Sequence, residues 1–170
     1  VIVGAAPKTP TPLFAATMQL IEFSPYWNVP PSIARGETLP KLRREPAYFD
    51  QQGFEFVTAE GSVVTGLSDA NLAAVERGAM RIRQRPGAKN ALGDIKFIFP
   101  NRDHIFLHHT PTPQLFQRDR RDFSHGCIRV EAPLHLARFV LAGQPEWTEE
   151  RIVTAMTRGR SASLRLDEPL

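Results

Sequence analysis

The sequence predicts an α+β domain, mainly β with helices, and three observations carry that prediction. Short apolar runs of strand character recur along the chain, from Val1-Ile2-Val3 to KFIFP and HIFLHHT. After residue 131 the pattern turns helical, in two segments that each stop at a glycine. Between the strand at 17–23 and KFIFP, residues 24–85 form a long proline-punctuated stretch of different texture that reads as an insertion. Length and composition agree, because 170 residues at 42% apolar and 23% charged suffice for one domain with a hydrophobic core.

Val1-Ile2-Val3 and the run TMQLIEF at 17–23 are the first two expected strands. The insertion carries the proline marks NVPPS, TLP and REP, with helical candidates at 32–44 and 68–80, the second capped by Ser68. RQRPGAKNALG is a turn-rich loop. KFIFP and HIFLHHT follow as strands of a hairpin turned by Asn101-Arg102-Asp103. The helix at 132–141 ends at Gly143, Thr148 caps a second helix that stops at Gly159, and Leu164-Arg165-Leu166 returns as a strand. The 15 prolines concentrate in loops, and no internal repeat or low-complexity tract is present.

Charge narrows the function classes. The 21 Lys and Arg against 18 Asp and Glu leave only +3, and the basic residues are scattered apart from short clusters such as Arg118-Arg120-Arg121, so nucleic-acid binding is not indicated. No apolar run reaches the length of a membrane span. The opening VIVGAAP lacks the basic start and cleavage pattern of a signal peptide, so any targeting segment is expected outside this sequence. The one cysteine, Cys127, has no partner for an internal disulfide and is therefore either an inert buried thiol or a reactive one.

Its surroundings, FSHGCIRV at 123–130, favour reactivity. If HIFLHHT is a strand, His104, Phe106 and His108 share one face while Ile105, Leu107 and His109 share the other, so the two adjacent histidines cannot do the same job. A neighbouring strand can thus bring one imidazole to the thiol, which attacks as thiolate. Gly126 permits a tight turn and leaves backbone N–H groups to face a developing oxyanion. Arg129 falls on the face of Cys127 if the segment is extended, and its planar fork suits a substrate carboxylate. Together these residues could carry out acyl transfer.

SHGCIR, about twenty residues after LHHTP, resembles the signature of the L,D-transpeptidase (YkuD-like) catalytic domain. FSPYWNVPPSIARGETLPKLRREP, PGAKNALGDIKFIFPN and WTEERI extend the similarity to the large periplasmic YcbB-type branch and cover nearly the whole chain. The resemblance implies a β-sandwich core with a helical capping insertion at 24–85, within one catalytic domain over 1–170 that looks trimmed at both ends. It implies Cys127 as the acylated nucleophile and His108 as general base, with His109 where the family usually has Asp. His125 would orient the thiol or donate near the oxyanion, Gly126 and Cys127 would offer backbone N–H groups there, and Ser124 would stabilise the turn by hydrogen bonding. Arg129 and Trp27 would contact substrate, Arg129 alternatively pairing with Glu131 or Asp122 and Trp27 alternatively packing in a core. Phe106 stands where the branch often has Tyr.

The implied reaction is a two-step transfer on peptidoglycan stem peptides, donor and acceptor, without cofactor or metal, in the periplasm or cell envelope. D-Alanine leaves a tetrapeptide stem and a 3-3 cross-link forms; carbapenem β-lactams are the expected inhibitors. A same-fold hydrolase that releases cross-links or lipoproteins is the nearest alternative. Zinc binding by His104, His108, His109, His125 and Cys127 is a more distant one, since His104 and His108 match a helical H-x3-H pair only in a helix, whereas the alternation and hairpin flank of that stretch say strand. A papain-like protease fits poorly, because the histidine precedes the cysteine and no GSCW context surrounds it.

Overall fold

The alternation in IKFIF, apolar on one side and Lys96 on the other, sets the centre of the main sheet. The computed structural model describes residues 1–170. In chain order its elements are β1 (Val3–Gly4), β2 (Leu20–Phe23), β3 (Trp27–Asn28), α1 (Pro31–Ile33), a π-helical segment (Ala34–Thr38), α2 (Leu39–Arg44), α3 (Tyr48–Gln51), β4 (Phe54–Thr58), β5 (Val63–Val64), α4 (Asp69–Glu76), β6 (Met80–Gln84), β7 (Ile95–Ile98), β8 (Leu107–His108), a 3₁₀ turn (Pro113–Gln117), β9 (Asp122–Ser124), β10 (Ile128–Arg129), α5 (Pro133–Val140), α6 (Glu149–Thr157) and β11 (Ala162–Arg165). They divide into two compact units, Val1–Pro25 with Pro86–Leu170, and Tyr26–Arg85. The mixture is α+β, and no helix is long and apolar enough to cross a membrane.

The first unit holds a five-stranded sheet in the order β10-β8-β7-β2-β11, antiparallel except for the parallel pair β8–β10. Strand pairing puts Leu107, Phe97, Ile21 and Leu164 in one row, and this face packs with Phe23, Ile95 and the inner sides of α5 and α6: Ala137, Val140, Ile152 and Met156. Trp147 stacks on Phe23 with ring centroids 5.0 Å apart, closing the end of that core. One residue over, the same register aligns Arg129, His108, Lys96, Glu22 and Ser163 across all five strands on the opposite face. The sheet is thus apolar on one side and carries a transverse polar row on the other. β1 runs parallel to β9 as a separate two-stranded ladder, tied to the main sheet by the bridge Ile2–Arg129.

Strand HIFLHHT is shorter than its alternation suggests. Only Leu107–His108 pair, and His104 sits at φ +53°. The cause is Asn101, whose side-chain oxygen accepts from the Asp103 and Ile105 N–H groups while its amide donates to the Phe99 and Ile105 carbonyls. These local bonds occupy the backbone groups that a longer ladder would need. The hairpin forms, with a longer loop than three residues. Thr148 caps α6 as expected, its hydroxyl accepting from the Arg151 N–H.

The second unit has its own core of Val29, Leu39, Leu42, Phe49, Phe54, Phe56, Leu72 and Ile82. The helix expected at 32–44 is a continuous helical run whose middle, Ala34–Thr38, is widened into a π turn. Pro40 lacks an N–H and would break the i to i−4 ladder, and the Leu39 N–H reaches five residues back to the Ala34 carbonyl. Ser68 caps α4 through the Asn71 N–H at 3.1 Å, but the helix ends at Glu76 and residues 80–84 become strand β6. A four-stranded sheet, β3-β6-β4-β5, therefore joins the helices of this unit. Within it Glu55, nearly fully buried, is paired by Arg83 at 2.6 Å.

Candidate active site

The parallel pairing of β10 with β8 aligns Arg129 with His108 and Ile128 with Leu107, held by the Ile128 N–H on the Phe106 carbonyl and the Val130 N–H on the His108 carbonyl. Cys127 immediately precedes β10, two residues before Arg129, and its sulfur lies 3.8 Å from the His104 carbonyl. His108 is 4% exposed, and its Nδ1 contacts the backbone carbonyl of His109 very closely. A carbonyl only accepts, so Nδ1 carries the ring proton and Nε2 keeps its lone pair.

The turn before the thiol is braced by Ser124. Its hydroxyl donates to the Cys127 carbonyl at 2.5 Å and accepts from the Gly126 N–H at 3.1 Å. Ser124 thus acts as a turn brace, one of the roles expected of it. The Gly126 N–H, expected to face an oxyanion, is occupied by that hydroxyl, which leaves the Cys127 N–H as the backbone donor for a developing charge. Gly126 itself sits at φ +124°, where a side chain is strained, and its carbonyl accepts from the Thr11 hydroxyl at 2.6 Å. Thr11 also receives the Gly4 N–H, so the segment after β1 fastens the turn that precedes Cys127.

Burial shapes the electrostatics. It lowers His108 from the ordinary 6.5 to about 4; the hydrogen bond to His109 opposes this, while Arg129, Lys96 and His109 push the same way. The ring is neutral at physiological pH. Burial likewise raises the Cys127 thiol, against the Phe106 N–H, Lys96 and Arg129, which favour the thiolate. Both groups therefore rest uncharged, as thiol and neutral imidazole, and a neutral imidazole keeps a lone pair with which a base can accept a proton. Arg129 is pressed down by burial and supported by Cys127, and its Nε is buried without a hydrogen-bond partner. Asp122, one of its suggested partners, is instead gripped by Arg120 at 2.6 and 2.7 Å.

His108, Arg129, Cys127, Gly126 and Ser124 are thus gathered at one edge of the sheet, and His125 is an exposed residue of the same turn. Trp27 belongs to the second unit, where it pairs with Gln84 in the sheet and packs on that unit's apolar cluster. His109 points away from His108 and lines a cavity of about 370 Å³ with Asp94, whose carboxylate is 3.5 Å from its Nδ1. The His and Cys residues weighed as zinc ligands do not converge: no group of three or more His, Cys, Asp or Glu is arranged to hold a metal. Sequence reasoning passed over Lys96 and Thr11. The polar position in IKFIF marked Lys96 as facing away from the core, but only strand register shows that it faces His108.

The family model described as YkuD, L,D-transpeptidase catalytic domain, matches residues 1–148. Beyond that span, β11 still completes the main sheet by pairing with β2. A Haemophilus influenzae protein described as "Putative L,D-transpeptidase" is 34% identical over 172 residues, covering 100% of this chain and 35% of the relative. The chain spans about a third of that relative's length. With the match covering most of the chain, and the SHGC turn and its histidine strand inside it, the chain belongs to the YkuD family of L,D-transpeptidase catalytic domains.

Proposed function

We propose that this domain is a cysteine L,D-transpeptidase acting on peptidoglycan stems. The observation that carries the reading is the alignment of His108 with Arg129 across β8–β10, with Cys127 immediately before β10. In the first step sulfur attacks the carbonyl of the third residue of a donor tetrapeptide, and His108 Nε2 accepts the thiol proton. The tetrahedral oxyanion receives the Cys127 N–H. As the C–N bond breaks, the proton passes from His108 to the departing nitrogen, and D-alanine leaves behind a thioester. In the second step the side-chain amine of a neighbouring stem, its proton taken by His108, attacks the thioester. Sulfur is expelled, regains the proton, and a 3-3 cross-link remains.

Arg129, with a buried nitrogen lacking any partner, suits a stem carboxylate. The reaction draws on no cofactor. The reading carries a location with it, the periplasm or cell envelope, and an inhibitor class, carbapenem β-lactams that acylate the same sulfur. Incubation of the protein with a defined tetrapeptide donor and a second stem should release D-alanine and give a dimer joined between third residues. Tripeptide without dimer at saturating acceptor would make the domain a hydrolase, and no reaction of either kind would overturn both readings.

A further inference from the structure

The polar row across the main sheet contains one cation that the reaction outlined above leaves without a role. Lys96 stands between His108 and Glu22 in register. Its side chain is only 16% exposed, its Nζ lies 4.1 Å from the centre of the Phe106 ring, and Glu22 is its ion-pair partner at 3.7 Å. Phe106 is also the residue that meets the catalytic turn: its carbonyl receives the Ile128 N–H, and its own N–H favours the Cys127 thiolate. A cation seated on that ring is therefore held on the strand next to the one that meets the thiol's turn, in register with His108 and Arg129. The charged and titratable groups facing this part of the sheet are Arg129 and Cys127 from β10 and its preceding turn, His108 from β8, Lys96 from β7 and Glu22 from β2, with His125 two residues ahead of the sulfur.

We propose that Lys96 is a positioning residue that stabilises the Cys127 thiolate through its field, seated on Phe106, and that Glu22 attenuates it. The inference rests on Cys127 being the attacking group. Burial alone opposes ionisation of this thiol, and an imidazolium is not there to help, because His108 is held neutral. A lysine does what the histidine does not: its charge favours the thiolate and, by the same sign, disfavours a second cation on His108. The separation of 3.7 Å between Lys96 and Glu22 is longer than a charge-assisted hydrogen bond, so the carboxylate offsets the lysine only in part. At these low exposures, bulk salt screens the row less than it would a surface pair.

The chain has a single cysteine, so alkylation reads this site alone. The test is the rate of iodoacetamide alkylation of Cys127 from pH 6 to 11 in the whole chain and in Lys96→Met, Lys96→Arg and Glu22→Gln. Lys96→Met should lower the rate at pH 7 by about three- to tenfold, half to one pKa unit, with an unchanged plateau at high pH. Lys96→Arg should stay within about twofold of the parent, and Glu22→Gln should raise the rate, since it removes the attenuating charge. A structural support would instead lose reactivity with either partner removed. Superimposable curves for Lys96→Met and the parent, or a fall in both Lys96→Met and Glu22→Gln, would overturn the proposal. Alkylation needs neither donor nor acceptor, so failure to cross-link stems would refute the proposed function while this coupling is still measured. An unshifted titration with intact cross-linking would refute the role of Lys96 alone.

Discussion

A buried imidazole held near pH 4 makes stability depend on acid in a defined window. Because the folded value of His108 lies below its unfolded value of 6.5, folding favours the neutral ring. Its contribution is fully present above pH 6.5, is lost as pH falls toward 4, and levels off below that. Between pH 7 and 4.5 the loss is roughly 2 kcal/mol. Urea unfolding at the two pH values should show it, and His108→Gln should flatten the difference by that amount; an unchanged slope would contradict the burial argument. Gly126→Ala tests the turn. At φ +124° an L side chain is strained, while the added Cβ meets only the movable tip of Ile105 at 3.0 Å, so backbone strain dominates. The expected cost is about 1–3 kcal/mol in thermal unfolding, whether or not Ile105→Val is made alongside it. At this scale the sequence exposed Cys127, the face of His108 and the bracing hydroxyl of Ser124. It did not expose the occupation of the Gly126 N–H by Ser124, because the partner of a turn N–H follows from dihedral angles that residue types leave open.

Strands β7 and β8 do the placing, and their coupling can be broken without touching the polar row. Gly93, at φ +64°, lies against His109 so closely that a Cβ there would be 2.6 Å from His109 Cβ. That neighbour is rooted in the backbone and cannot swing aside. Gly93→Ala should therefore shift the end of β8, move the His109 carbonyl off His108 Nδ1 and reduce acylation of Cys127 by stem peptide at least tenfold, a barrier change of about 1.4 kcal/mol. Iodoacetamide alkylation at high pH, where the thiol ionises unaided, should change little; a loss of acylation accompanied by faster alkylation would mean general unfolding, which exposes the thiol, and unchanged acylation would contradict the prediction. The alternation of KFIFP and HIFLHHT was enough to assign faces although β8 is only Leu107–His108. The missing length was set by Asn101, whose four hydrogen bonds to neighbouring backbone no periodicity reveals.

Two apolar clusters, one in each unit, give the whole molecule two centres of stability. Hydrogen exchange should accordingly show β4 and β6 losing protection together, as one cooperative block, at a free energy different from that of β2 and β7. A single exchange class for all four strands would contradict this. The change of texture at 24–85 is visible in composition, yet the sheet inside it was not, because FEFVT and MRIRQ satisfy each other across a long separation and read singly as fragments. What unites the molecule functionally is the claim that Cys127 becomes covalently charged with a stem peptide. The most direct measurement is intact mass of the protein quenched during turnover with a tetrapeptide donor. The account predicts an adduct equal to the donor minus D-alanine, on Cys127 and absent from Cys127→Ala. Release of D-alanine with no adduct at any quench time and undiminished in Cys127→Ala, or an adduct that persists in that variant, would contradict it.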